Sequence, residues 1–258
     1  PFCHDYALTD RYAIFFLGSI VFGNMLPVVL GTSSIADQIE FDPSIPLKAI
    51  VVDLETFEIA RTFESAPGAL IHIGNSFDEG DDIVIDGMYT DNFEANKTLT
   101  DVFNPDGRFG GGSYMRYRLN MKTGQMNSEL ITDVESEFPT FNPAKAGQKH
   151  DVTYTATSIH NGANSFFNGI QRITYDGDAQ LATLPPGYYG SEPMFAAANN
   201  ATAEDDGYIL EIAYNGFQHK SELQIYRADN LEDQVCSLKL KHHVPHQFHG
   251  FFTHEVFT

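Results

Sequence analysis

Five of the ten histidines fall in the last stretch of this 258-residue chain: His242, His243, His246, His249 and His254. Neutral imidazole is the commonest protein ligand for a transition metal, so a metal site is the first chemistry to test. His243, His246 and His249 are three residues apart. On a helix they would share a face, but Pro245 opposes a helix here. On an extended chain a three-residue step alternates faces, so at most one or two can reach a common ion. His249 is best placed, between the apolar Phe248 and Gly250, where the missing Cβ lets backbone approach closely. Elsewhere, His4 stands just before an apolar strand, a position that is more often structural than ligating. His72 alternates with apolar residues in Ile71-His72-Ile73 and reads as a buried, hydrogen-bonded side chain. His150, His160 and His219 lie in polar contexts and read as surface residues.

Two acids share a form. Glu137 (Ser136-Glu137-Phe138-Pro139) and Glu192 (Ser191-Glu192-Pro193-Met194) are carboxylates in apolar settings at strand starts. A buried charge without a partner is costly. Such an acid can accept the outer N–H of a metal-bound histidine, do acid–base work, or simply lie at the surface. The local pattern leaves all three open. Other chemistries lack their signatures: there is no Gly-x-Ser-x-Gly elbow, no Cys-x-x-Cys for a structural zinc and no dinucleotide fingerprint. Gly110-Gly111-Gly112 is followed by no Lys-Ser/Thr and is not a phosphate loop. The sequons at Asn96 and Asn200 carry little weight without a signal peptide.

The elements that must position these residues are short β runs bounded by turn residues. Tyr12–Leu17, Ala49–Leu54, Asp82–Met88, Tyr114–Asn120, Val152–Thr157, Ile170–Tyr175, Tyr208–Tyr214 and Glu222–Tyr226 each have ordinary strand length. No long stretch shows helical spacing. A weak repeat is visible: a β run ends in a polar turn at Asp53, Asn120, Tyr175 and Ala228, with spacings of 67, 55 and 53 residues. Such periods suggest propeller blades with loop insertions; a β-sandwich with evenly spaced turns is the plainer reading.

The segment from Tyr12 to Ala36 holds no charged residue and is long enough to cross a bilayer. Gly18, Gly23, Asn24, Pro27 and Gly31 interrupt it, which predicts a buried strand and an apolar loop rather than a span. A patch dipping into a membrane surface is the other expectation. The net charge of −20 opposes nucleic-acid binding, which needs a basic surface. The two cysteines, Cys3 and Cys236, make no disulfide framework, and a reducing, cytoplasmic home is expected. The opening Pro1-Phe2-Cys3-His4 reads as the start of a piece of a longer protein.

Several segments, taken in order, resemble one family. His4-Asp5-Tyr6-Ala7-Leu8-Thr9 resembles the His-Asp-Phe-Ala-x-Thr box of the carotenoid cleavage oxygenases, the retinal pigment epithelial membrane protein family. Asn75-Ser76-Phe77-Asp78-Glu79-Gly80 resembles its Asn-Ala-Phe/Trp-Glu-Glu segment, and Glu137-Phe138-Pro139 its Glu-Phe-Pro box. Gly190-Ser191-Glu192-Pro193-Met194-Phe195, Glu204-Asp205-Asp206-Gly207-Tyr208 and Ser221-Glu222-Leu223 follow in the family's order. Val244-Pro245-His246-Gln247-Phe248-His249-Gly250 resembles its terminal Val-Pro-x-Gly-Phe-His-Gly. Each box is weak alone; the ordered set, running from residue 2 to about 252, is specific.

The resemblance implies an all-β fold, a seven-bladed β-propeller of which residues 1–258 form roughly the C-terminal half of one domain. It also implies an Fe(II) on the axis, held by four histidines, and cleavage of a carbon–carbon double bond of a polyene with O2 to two carbonyls. By box, His4 and His249 look like the third and fourth iron ligands, and Glu137 and Glu192 like carboxylates that orient ligand histidines. His72 matches no ligand position, and His242, His243, His246 and His254 are bystanders. Two further ligand histidines and one further orienting Glu are expected upstream. Asp78 stands in place of the family's Glu and Gln247 in place of its Gly. A stilbene-cleaving oxygenase of the same family, a metal-free propeller binding protein and a fragment inactive by itself are the alternatives.

Overall fold

The computed structural model describes residues 2–93, 111–159, 166–245, 248–253 and 255. Asn96, Gly110 and most of its loop, His160, His246, Gln247 and His254 lie outside the described residues. The chain folds as four successive antiparallel units. The first is β1 (Tyr6–Leu8), β2 (Tyr12–Leu17), β5 (Leu47–Asp53) and β6 (Ile59–Ser65), paired in that order. A ribbon of β3 (Ile20–Phe22) and β4 (Ile39–Phe41), with a single helical turn α1 (Leu26–Val29) between them, is inserted after β2.

A seven-stranded sheet makes the next two units: β7 (Ala69–Glu79), β8 (Asp82–Thr90), β9 (Gly112–Asn120), β10 (Met126–Thr140), β11 (Val152–Thr157), β12 (Gly169–Thr174) and β13 (Ala179–Thr183). The 15-residue β10 serves both. Its first half closes against β9, its register slips twice between Leu130 and Ser136, and its last residues open the next unit against β11. The fourth unit starts with two short pieces, β14 (Tyr188–Tyr189) and β15 (Met194–Ala197), on the same neighbour, β16 (Gly207–Asn215); β17 (Lys220–Arg227) and β18 (Gln234–Lys239) follow.

This explains the weak repeat. Asp53, Asn120, Tyr175 and Ala228 all stand at the hairpin that joins the third strand of a unit to its fourth. Asp53 and Asn120 build the turn the same way: a side-chain oxygen accepts the N–H groups two and three residues on, at 2.7–3.1 Å. The cores lie between neighbouring sheets. Ile14, Leu47, Val51 and Phe63 of the first unit meet Ile83, Ile85, Tyr117 and Leu119 of the second. Val152, Tyr154 and Ile170 meet Phe195, Ile209 and Tyr226.

The expected strands are all present: Tyr12–Leu17 and Val152–Thr157 match at both ends, and the others shift by one or two residues at one or both ends. Strands β1, β3, β4, β6, β7, β10, β13, β14, β15 and β18 are additional to that reading. One expectation is overturned. His150 is not a surface residue but 1% exposed, packed among Asn75, Asp86 and Thr153. Its polar sequence neighbours turn outward while the ring turns in. The uncharged segment 12–36 forms β2, β3 and α1, and no helix among the described residues is long and apolar enough to cross a membrane.

Candidate metal centre

In the second, third and fourth units the first strand is irregular, and polar residues stand at or beside the irregularities. Between Leu70 and Ile73 two residues of β7, Ile71 and His72, oppose one of β8, Met88, which makes a bulge that contains His72. The same happens on β10 between Glu137 and Thr140, where Phe138 takes a left-handed φ of 54°. In the fourth unit the first strand breaks between β14 and β15, and Glu192 sits in the break. Bulges re-aim side chains out of the regular alternation, and a left-handed backbone at a bulky residue is strain held in place by its surroundings.

These departures bring three histidines to one point. His4, His72 and His249 each offer a ring nitrogen, and the three atoms lie within 4.8 Å of one another. The His72 ring stands edge-on to both neighbours, with centroids 5.0 Å from His4 and 5.1 Å from His249. His72 Nδ1 is 2.6 Å from Glu137 Oε2, and both side chains are largely shielded. His249 Nδ1 is 3.4 Å from Glu192 Oε1, while Gly250 N donates to Glu192 Oε2 at 2.6 Å. Asp5, next to His4, accepts from Tyr6 N at 2.8 Å and from Ile73 N, next to His72, at 2.9 Å. It straps the two histidine-bearing segments together.

The electrostatics divide the histidines. Burial, then the neighbouring His72 ring, lowers the His4 pKa and keeps it neutral. Burial also pulls on His72, but the hydrogen bond and charge of Glu137 outweigh it and the pKa rises. His72 Nε2 is buried and has no hydrogen-bond partner among the described residues. With Nδ1–H donated to Glu137, Nε2 carries the free lone pair that a metal ligand needs. The donor set fits a divalent first-row ion: three imidazoles, two of them oriented from behind by carboxylates. An apolar wall adjoins it. Phe138 meets His72 at 5.0 Å, His249 at 5.5 Å, Phe167 at 5.6 Å and Phe248 at 6.5 Å, while Phe2 stacks on His4 at 5.7 Å.

Of the residues singled out in the sequence, His4, His249, Glu137 and Glu192 come together here. His72 is hydrogen-bonded as expected, but it also stands inside the cluster from which its sequence context excluded it. Its one signal was proximity to the Asn75 box. His219 is exposed and bonds Tyr214 Oη at 2.9 Å, and His242 and His243 are exposed bystanders.

Bulged first strands converging on a histidine cluster define a propeller-type protein with a candidate metal centre. Residues 1–254 match the retinal pigment epithelial membrane protein family, and the chain belongs to it. It is 28% identical to the apocarotenoid-15,15'-oxygenase of Synechocystis sp. over 96% of its own length and 51% of that protein's. It is 26% identical to the carotenoid 9,10(9',10')-cleavage dioxygenase of Crocus sativus over 98% and 48% of the two lengths. Among solved structures, cobalt-substituted Synechocystis ACO superposes with a TM-score of 0.85 at 27% identity, covering 96% of this chain and 52% of that one. An ACO/RPE65 chimera gives 0.86 at 27% identity, covering 98% and 53%. The fold is that of these β-propellers, and the chain spans about half the length of the relatives it matches.

Proposed function

We propose that this chain is part of a non-haem iron dioxygenase that cleaves a carbon–carbon double bond of a carotenoid or apocarotenoid. The observation that carries the reading is the buried, unpartnered Nε2 of His72, set with His4 and His249 around one point. These three residues would hold Fe(II), joined by a fourth histidine from outside the chain. Bound there, the iron would supply activation of O2. The reaction balances without an external reductant: the double bond breaks and each carbon takes one oxygen atom as a carbonyl.

The chain's own residues hold and shield. Glu137 fixes the His72 tautomer that leaves Nε2 free. Glu192 does the same for His249 and also anchors the backbone at Gly250. The buried Phe138 and the exposed Phe248 make the apolar side of the centre against which a polyene would lie. The approach to the site is apolar too. Phe22, Met25, Leu26, Val29, Leu30 and Ile35 are all exposed. Phe2 N donates to Ile20 O at 3.1 Å, so this apolar run begins beside the ring that stacks on His4. It is an entrance that takes polyene from a membrane surface, with the protein cytoplasmic and peripheral. Liposome flotation with no binding would remove that part.

The test is anaerobic reconstitution of the full-length protein with Fe(II), followed by chromatography of products from apocarotenoids and stilbenes. His249→Ala should abolish iron binding and cleavage; full iron occupancy in that variant sinks the ligand assignment. Turnover of stilbenes alone would move the substrate to small phenolics. A wild-type protein that takes up no iron is a propeller binding protein instead.

A further inference from the structure

The fourth unit buries an acid for which the proposed centre has no role. Glu211 lies on the face of β16 that also buries Ile209 and Ala213, and all three are fully shielded from solvent. The alternation calls for an apolar residue at that point. Neither carboxyl oxygen has a hydrogen-bond partner among the described residues. Burial pushes the Glu211 pKa up to about 8, so the group is a neutral acid at pH 7. The Ser191 backbone N–H is near enough to favour the carboxylate slightly, without closing a hydrogen bond of ordinary geometry.

Its place in the sheet gives it a task. Strand β16 pairs with β15 from Gly207 to Leu210 and with β14 at Tyr214 and Asn215. Glu211 therefore lies opposite the unpaired stretch 190–193, which carries Glu192. Its Oε1 packs directly on the Gly190 backbone: a Cβ there would collide with Oε1 and come 3.2 Å from Leu184 Cδ1. On the next residue, Ile212 N donates to Ser191 Oγ at 3.2 Å. The strand thus grips Gly190 by packing and Ser191 by a hydrogen bond, and Glu192 follows at once.

We propose that Glu211 is a positioning residue: its buried carboxyl sets the path of segment 190–193 and, through it, the reach of Glu192 to His249. This rests on the metal-centre reading above. One titratable group faces it, Tyr226 from β17, whose pKa burial raises and which stays neutral; Glu192, on the crossing segment, is turned toward His249. Ionisation of Glu211 then leaves a negative charge beneath Ser191 with no cation to balance it. The charge draws the Ser191 amide inward and displaces Glu192.

Co(II) titration of the full-length protein, read by visible absorption, tests this. At pH 7, Glu211→Leu should bind Co(II) about tenfold more weakly, the range seen when an orienting partner is lost. Its Tm at pH 8 should nevertheless rise, because a costly buried acid has gone. Glu211→Gln, neutral at every pH, should keep the wild-type affinity at pH 7. Between pH 7 and 9 the wild type should lose affinity relative to Glu211→Gln. Equal Co(II) affinity in wild type and Glu211→Leu, or parallel pH profiles in wild type and Glu211→Gln, would overturn the inference. A wild type that binds no Co(II) removes the metal centre itself, and this role with it.

Discussion

Two histidine–carboxylate pairs in this molecule look alike on paper and do different things. His150 is saturated: Nδ1 meets Asn75 Nδ2 at 3.3 Å, and Nε2 reaches Thr153 Oγ1 at 3.1 Å and Asp86 Oδ2 at 3.3 Å. Asp86 is itself gripped by Arg116 through Nε and Nη2 at 2.8 and 2.9 Å. Both His150 nitrogens are occupied, so the network stabilises the fold and leaves neither nitrogen open to a metal. His72 has one nitrogen held by Glu137 and the other buried with no partner among the described residues. An unpaired buried nitrogen costs about 1–3 kcal/mol. A fold tolerates that cost where something else supplies the bond. Burial and a carboxylate partner do not mark a ligand histidine; the second nitrogen does.

The contrast can be broken from either side. Substituting His72 with Ala should have the largest effect on metal, at least a hundredfold loss of Co(II) affinity, and should also lower the metal-free Tm because Glu137 loses its partner. His150→Ala should leave Co(II) affinity near the wild-type value while lowering stability by about 2–4 kcal/mol, by opening a buried cavity and removing one hydrogen bond each from Asp86 and Thr153. Metal titration beside thermal unfolding reads both, and a His72→Ala protein that binds Co(II) normally would erase the distinction.

Within the centre the two carboxylates differ as well. The Glu137 pair is short and shielded, whereas His249 is 56% exposed and its contact with Glu192 longer. Screening by water weakens the second. Glu137→Gln should therefore reduce metal affinity about a hundredfold and Glu192→Gln about tenfold, the two ends of the range for such partners. The order would reverse if backbone anchoring at Gly250 were the main role of Glu192.

The smallest effect is on acid stability. Burial alone would raise the Asp86 pKa, but hydrogen bonds from His150 and Arg116 outweigh it and hold it below the usual carboxylate value. A carboxylate with a depressed folded pKa contributes stability above its unfolded pKa and loses it as pH falls through the folded value. Denaturant unfolding should therefore weaken progressively below about pH 4, and Asp86→Asn should flatten that slope. An unchanged slope would mean that other carboxylates set the acid limit.

Much of the architecture was legible in the chain. The alternation of β16 and the apolar run of β2 announce strands, and Asp53 and Asn120 announce their hairpins. What escaped was irregular. Strand β7 has two bulges that the local alternation Ile71-His72-Ile73 does not reveal, so His72 looked like one more residue in an alternating run. Strand β10 changes partners halfway, and its exposed first half hides a single 15-residue strand. His150 was misplaced because its neighbours are polar while its ring packs inward.

Sequence alone determined the residue types able to do chemistry, the β elements and, through the order of its boxes, the family. Tertiary structure alone decided that His72 joins His4 and His249. His4, His72 and His249 lie at sequence separations of 68 and 177 residues, and no local spacing can encode that convergence. It follows from the first strands of successive units closing around one point, and from the bulges at His72 and immediately after Glu137. The lone pair left free on His72 Nε2 is likewise a property of the packed fold, which buries that nitrogen without a hydrogen-bond partner among the described residues.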